Sequence, residues 1–102
     1  MMLHMVSYKL KPDQVAENER LAAGVYAALR EARPAGLRYA TFRLDDGVSF
    51  VHIVAHGEAD GTNSLTSLPA FQAFAAGIKD RCAEPPRRVQ LTEIGSYEFF
   101  AD

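Results

Sequence analysis

Residues 37–56 read LRYATFRLDDGVSFVHIVAH. The runs 37–44 and 48–56 are rich in β-branched and aromatic side chains, and Asp45-Asp46-Gly47 separates them. Asp-Gly between two such runs marks a hairpin, because the turn needs positive φ and glycine reaches it without a steric penalty. The stretch predicts two antiparallel strands. The rest of the chain has to fold around them.

Before the hairpin, residues 14–33 are dense in Ala, Leu, Glu and Arg. Val15, Leu21, Val25, Leu29 and Ala32 recur near the 3.6 spacing that lays one apolar stripe along a helix. Asp13 is expected to cap its start, and Pro34 and Gly36 to end it. Glu17 and Glu19 lie early and Arg30 and Arg33 late, as the helix dipole favours. Before that helix, residues 2–10, MLHMVSYKL, read as a strand that Pro12 stops.

After the hairpin comes a polar loop, Gly57 to Asn63, and then SLPAFQAFAAGIKDRC at 67–82. Ser67 as cap, a proline in the first turn and a stripe of Leu68, Phe71, Phe74 and Ile78 predict a second helix, weakened at Gly77. Glu84-Pro85-Pro86 closes it, and RRVQLTEIGSYEFF at 87–100 reads as a last strand that Gly95 interrupts with a bulge or a bend. The order β-α-β-β-α-β is that of an α+β, ferredoxin-like domain with an antiparallel sheet and both helices on one face.

The chain has 102 residues, enough for a single domain over 1–102. For so short a chain, burial and chain ordering nearly cancel, so a partner subunit that covers the open sheet face is expected. Phe50 and Val54, on the same side of their strand as His52, are among the apolar side chains assigned to that face. With 11 basic against 13 acidic residues there is no cationic field for nucleic acid. Cys82 alone makes neither an internal disulfide nor a cysteine-bound zinc site. The opening stretch lacks a long apolar run and no window is long enough to span a membrane. A cytoplasmic domain is expected.

The hairpin, the aromatic helix SLPAFQAFAAGI and the terminal GSYEFF together resemble the dimeric α/β-barrel superfamily, within it the antibiotic-biosynthesis-monooxygenase-like small domains. The resemblance covers nearly the whole chain. It implies a homodimer formed through sheet faces, a pocket between sheet and helices, and, in some members, oxygenation of polyphenols without metal or flavin. No cofactor and no metal are therefore assigned. Haem-degrading members carry a first-strand asparagine, a tryptophan and a second-helix histidine. Here the first-strand position is Ser7, tryptophan is absent and residues 68–82 contain no histidine. The cofactor-free members use Asn, Trp and Tyr, and of the two asparagines only Asn63 is suitably placed by sequence, Asn18 lying on the first helix.

His52 is the residue best suited to chemistry, since an imidazole titrates near neutrality and serves as a base. A base that removes a phenolic proton leaves an anion able to reduce dioxygen. His52 and Tyr39 are the candidate catalytic pair. His4, Arg38, Phe50, Asn63, Phe71 and Phe74 are the candidate substrate-binding residues. His52 and His56 face the same way but rise about 13 Å apart along a strand, too far to share a metal. His4, on a neighbouring strand, is expected close to His52, and His56 at an exposed strand end. Tyr8 and Tyr97 are read as packing residues and Cys82 as inert. Phe99 and Phe100 are expected at the dimer interface, where a terminal aromatic pair would be covered. The predicted function is a cofactor-independent monooxygenase-like enzyme acting on a small aromatic or polyphenolic molecule. The alternative is a non-catalytic ligand-binding or stress-response dimer, favoured if Phe71, Phe74 and Leu91 fill the pocket.

Overall fold

The computed structural model describes residues 2–57 and 64–99. It contains β1 (Met2–Leu10), a 3-10 turn (Pro12–Gln14), α1 (Val15–Ala32), β2 (Leu37–Arg43), β3 (Ser49–His56), α2 (Pro69–Ala76), α3 (Ile78–Arg81) and β4 (Cys82–Gln90). The four strands form one antiparallel sheet in the order β2-β3-β1-β4. This is the expected ferredoxin-like arrangement.

The hairpin forms where the sequence places it. Gly47 takes φ 79° in the turn, and the Asp46 carboxylate accepts bonds from the Val48 and Ser49 amides and the Ser49 hydroxyl. Those bonds hold the Asp46 carboxyl below the usual carboxylate range. Register then decides which side chains enter the core. His52 stands opposite Val6 on β1 and Thr41 on β2, and Phe50 opposite Tyr8 and Arg43. Because strand side chains alternate, Val6, Tyr8, Leu10, Phe50, His52 and Val54 share one face. That face meets Val25 of α1, Phe74 of α2 and Leu65.

Phe50 and Val54 therefore belong to the face covered by the chain's own helices, not to the open one. Phe50 is 3% exposed. The open face carries the odd-numbered positions instead, Met5, Val51, Ile53 and Val89 among them. The parity was correct and the choice of face was not, because a period of two does not say which side the helices take.

Four local expectations differ. Asp13 does not cap α1: it lies in the 3-10 turn, and Gln14 precedes the helix without a side-chain cap bond. Ser67 does not cap α2, because its hydroxyl donates to the Ser64 carbonyl. The second helix is two helices, broken at Gly77, and Cys82 opens β4. The last strand thus starts earlier than read and ends at Gln90. After a last backbone bond from the Leu91 amide to the Leu3 carbonyl, residues 92–99 leave the ladder, so Gly95 is not a bulge in a strand. Pro85 and Pro86 fall inside β4, which tolerates them as an edge strand with register shifts against β1 between Ser7 and Leu10.

Candidate functional site

A buried line of hydrogen bonds runs from β2 through the sheet to α3. The hydroxyl of Tyr39 lies 2.5 Å from Nδ1 of His52, and that of Tyr8 lies 2.7 Å from Nε2. Asn18 donates to the Tyr8 oxygen at 3.0 Å, and Arg81 donates from Nε to Asn18 Oδ1 at 3.1 Å and from Nη2 to the Phe74 carbonyl at 2.7 Å. A branch reaches Tyr26 through Thr41, whose Oγ1 lies 2.7 Å from the Tyr26 hydroxyl and 3.3 Å from His52 Nδ1. Asn18, His52, Tyr8 and Arg81 are all buried.

Burial governs the protonation of this line, since it disfavours every charged form. It lowers the His52 pKa to about 4, so the imidazole is neutral at pH 7. It pushes the Tyr8 hydroxyl up to about 12, with the Asn18 bond pulling the other way, and raises Tyr39 further still. Tyr26 is raised for the same reason.

Beside the line lies an apolar cavity of about 150 Å³. Tyr39, His52, Val54, Leu65, Phe71 and Phe74 help to line it. Phe71 meets Tyr39 edge-on at 6.5 Å between ring centroids, and Phe74 tilts against His52 at 5.5 Å. An apolar cavity of this size accepts one benzene-sized ring.

The expected residues divide by face and by end of the sheet. His52, Tyr39, Phe71 and Phe74 come together around the cavity. Phe50 stacks on Tyr8 at 5.7 Å and supports the site from within the core. Arg38 does not reach it. Neighbouring Tyr39 on β2, Arg38 points to the opposite face, in a hollow with Phe42, Ile53 and Phe99. His4 does not meet His52 but stacks on His56 at 5.9 Å. His56 is 1% exposed, so it is buried rather than at an open strand end. Burial lowers the His4 pKa, with Arg88 and His56 adding to it. Leu91 lies by the open face and not in the cavity. Asn63 falls outside the described residues. Among those described, no group of three His, Cys, Asp or Glu side chains converges on a metal position. Burial raises the Cys82 thiol pKa, which leaves it unactivated.

Sequence reasoning missed Tyr8, Asn18 and Arg81. Tyr8 was read as packing, and Asn18 was set aside for lying on a helix. A signal was present in Asn18: it sits on the apolar stripe of α1, between Val15 and Leu21, where a buried amide needs partners.

No protein-family model matches the sequence. No curated protein is significantly similar to it. Solved structures are. An antibiotic biosynthesis monooxygenase superposes with a TM-score of 0.76 at 14% identity, over 93% of this chain and 100% of the other. SnoaB, a cofactor-independent oxygenase from Streptomyces nogalater (mutant N63A), gives 0.68 at 20% identity, over 93% and 94%. A candidate antibiotic biosynthesis monooxygenase from Caulobacter crescentus gives 0.73 at 20% identity, over 92% and 91%.

The chain has the antibiotic biosynthesis monooxygenase fold.

At these identities the likeness covers architecture and not chemistry. Within the antibiotic biosynthesis monooxygenase fold, the cavity of this chain lies between the sheet and α2, with Tyr39 and His52 in its wall. No described helix is long and apolar enough to cross a membrane.

Proposed function

We propose that the chain is a monooxygenase-like enzyme that needs no metal or organic cofactor and acts on a small aromatic or polyphenolic molecule. The supporting observation is the pairing of a ring-sized apolar cavity with the buried Tyr39–His52–Tyr8 line at its wall. One substituted ring fits, its hydroxyl toward Tyr39 and its faces against Phe71 and Phe74. The fold it shares with SnoaB is consistent with such chemistry.

The reaction balances without a further reductant. The phenol releases its proton to water, the bound phenolate gives one electron to dioxygen, and the phenoxyl radical and superoxide combine at a ring carbon. Protonation gives a hydroperoxide. Its O–O bond breaks as the ring C–H proton leaves, releasing water and a quinone. One oxygen atom enters the product and one leaves as water, and the substrate supplies all four electrons. Arg38 has no part in this. His52 acts through Tyr39, because both its ring nitrogens are already engaged.

That engagement also favours a second reading, a ligand-binding or stress-response protein without catalysis. A histidine held neutral by burial, with both nitrogens bonded, is a weak base.

Oxygen uptake decides between the two. With single-ring phenols and hydroquinones, the protein is expected to consume one dioxygen per quinone formed, at a rate at least tenfold lower in Tyr39→Phe. A phenol that binds without accelerated uptake would leave only the second reading.

The assembly we propose is a homodimer through the open sheet faces, with Phe99 and Phe100 at the interface. Phe42 and Phe99 on that side are 47% and 62% exposed in the single chain. Phe100 lies outside the described residues.

A further inference from the structure

Arg81 is the fixed point of the buried line. A guanidinium only donates. The end of Asn18 that faces Arg81 Nε, at 3.1 Å, must therefore be the amide oxygen. The amide nitrogen is then turned to Tyr8, whose oxygen accepts at 3.0 Å. Tyr8 keeps its own proton for its other neighbour, His52 Nε2, at 2.7 Å. A neutral imidazole whose Nε2 accepts carries its proton on Nδ1. That nitrogen lies 2.5 Å from the Tyr39 oxygen and 3.3 Å from Thr41 Oγ1. The Tyr39 oxygen accepts, and its own proton can turn to Thr41 or into the cavity.

The reverse order fails at Tyr8. With the proton on Nε2, the Tyr8 oxygen would accept from both Asn18 and His52. Its hydroxyl hydrogen, on a residue 5% exposed, would find no acceptor among the described residues. An unmet buried donor costs about 1–3 kcal/mol, enough to set the tautomer.

We propose that Arg81, acting through Asn18 and Tyr8 as a positioning residue, fixes His52 in the Nδ1–H tautomer, so that Tyr39 keeps its proton for a partner other than His52, Thr41 in the empty site and the acceptor oxygen of a ligand that enters the cavity. Phenolates, enolates and quinone carbonyls are of that class. Such a site does not take the phenolic proton. Its one donor offsets part of the cost that burial places on the phenolate. The ligand class rests on the reading of the cavity as the binding site, whereas the tautomer does not.

Two-bond proton–nitrogen correlation spectra of the 15N-labelled protein at neutral pH read the tautomer directly. His52 is expected to show a protonated Nδ1 and a bare Nε2. Asn18→Asp keeps the shape but only accepts, so it takes the Tyr8 proton as well as that of Arg81. The Tyr8 oxygen then accepts from Nε2, and the His52 pattern should invert. A protonated Nε2 in the unaltered protein would overturn the proposal, as would an unchanged pattern in folded Asn18→Asp. Should that variant not fold, the unaltered spectrum alone decides. For the ligand, 4-nitrophenol reports its own ionisation by colour. Bound, it should ionise about tenfold more readily in the unaltered protein than in Tyr39→Phe. A probe that binds both but ionises no more readily in the unaltered protein overturns the donor assignment. A probe that does not bind removes the cavity as ligand site and the ligand class with it, while the tautomer is judged by the spectra.

Discussion

The hydroxyl of Tyr39 and Nδ1 of His52, on adjacent strands, stand 2.5 Å apart at the wall of the cavity. Removing the hydroxyl with Tyr39→Phe leaves a buried nitrogen with only the longer Thr41 contact. The expected cost is about 1–3 kcal/mol, read as a lower urea midpoint with an unchanged slope. An unchanged midpoint would mean that the bond contributes nothing to stability.

His52 also sets a pH dependence. Its pKa is about 4 in the fold against about 6.5 for an ordinary imidazole, so between those values the unfolded chain holds more protons. Stability should then fall as pH drops through that window, by about 2 kcal/mol between pH 7.5 and pH 5. His4, lowered in the same direction, adds to the loss. Thermal melts at the two pH values check this, and His52→Gln should flatten the difference. A protein equally stable at both would show that His52 gains its proton as readily in the fold as in the unfolded chain.

Arg81 is buried against Asn18, the Phe74 carbonyl and, at 5.0 Å, the Phe74 ring. Arg81→Met keeps much of the volume but leaves an amide oxygen and a carbonyl without donors. A loss of about 2–4 kcal/mol is expected by denaturant titration, each orphaned group contributing about 1–3 kcal/mol. Arg81→Lys should recover part of it, since an ammonium can serve one acceptor but not the planar pair.

Filling the cavity separates binding from folding. Val54→Phe places a ring in the space beside His52. It should abolish binding of 4-nitrophenol while changing stability by less than about 2 kcal/mol, because the added ring occupies an existing void. Retained binding would place the ligand elsewhere.

The double variant Phe99→Ser/Phe100→Ser tests the assembly. Light scattering should find monomers or insoluble protein. A well-behaved dimer would show that the interface lies elsewhere.

The strands and helices were readable wherever local signals were strong. Gly47 in its turn and the Val15–Leu29 stripe of α1 required nothing beyond nearest neighbours in sequence. The terminal segment was misread because GSYEFF is β-rich in composition, yet Ile94 is 97% exposed and no neighbouring strand pairs with it. His52, Tyr39, Phe71 and Phe74 line one cavity because strand parity puts the first two on the face that α2 covers. Arg38 failed by one position of parity, and His4 by two residues of register, since it pairs with Val54 rather than with the position of His52. Asn18 and Arg81 lie 63 residues apart and meet only in three dimensions, so no spacing rule reaches them.

Gly77 is the hinge on which Arg81 turns inward. A methyl group there would come within 3.1 Å of Arg81 Nη1. By helix propensity alone, alanine at this position should be an improvement of about 1 kcal/mol. An alanine at position 77 would gain local order only if the Arg81 guanidinium can give by a few tenths of an ångström without losing its bonds to Asn18 and Phe74. The interruption of the helix is therefore a selectable trait, and substitutions there should be judged by what they do to Tyr39 before what they do to thermal stability.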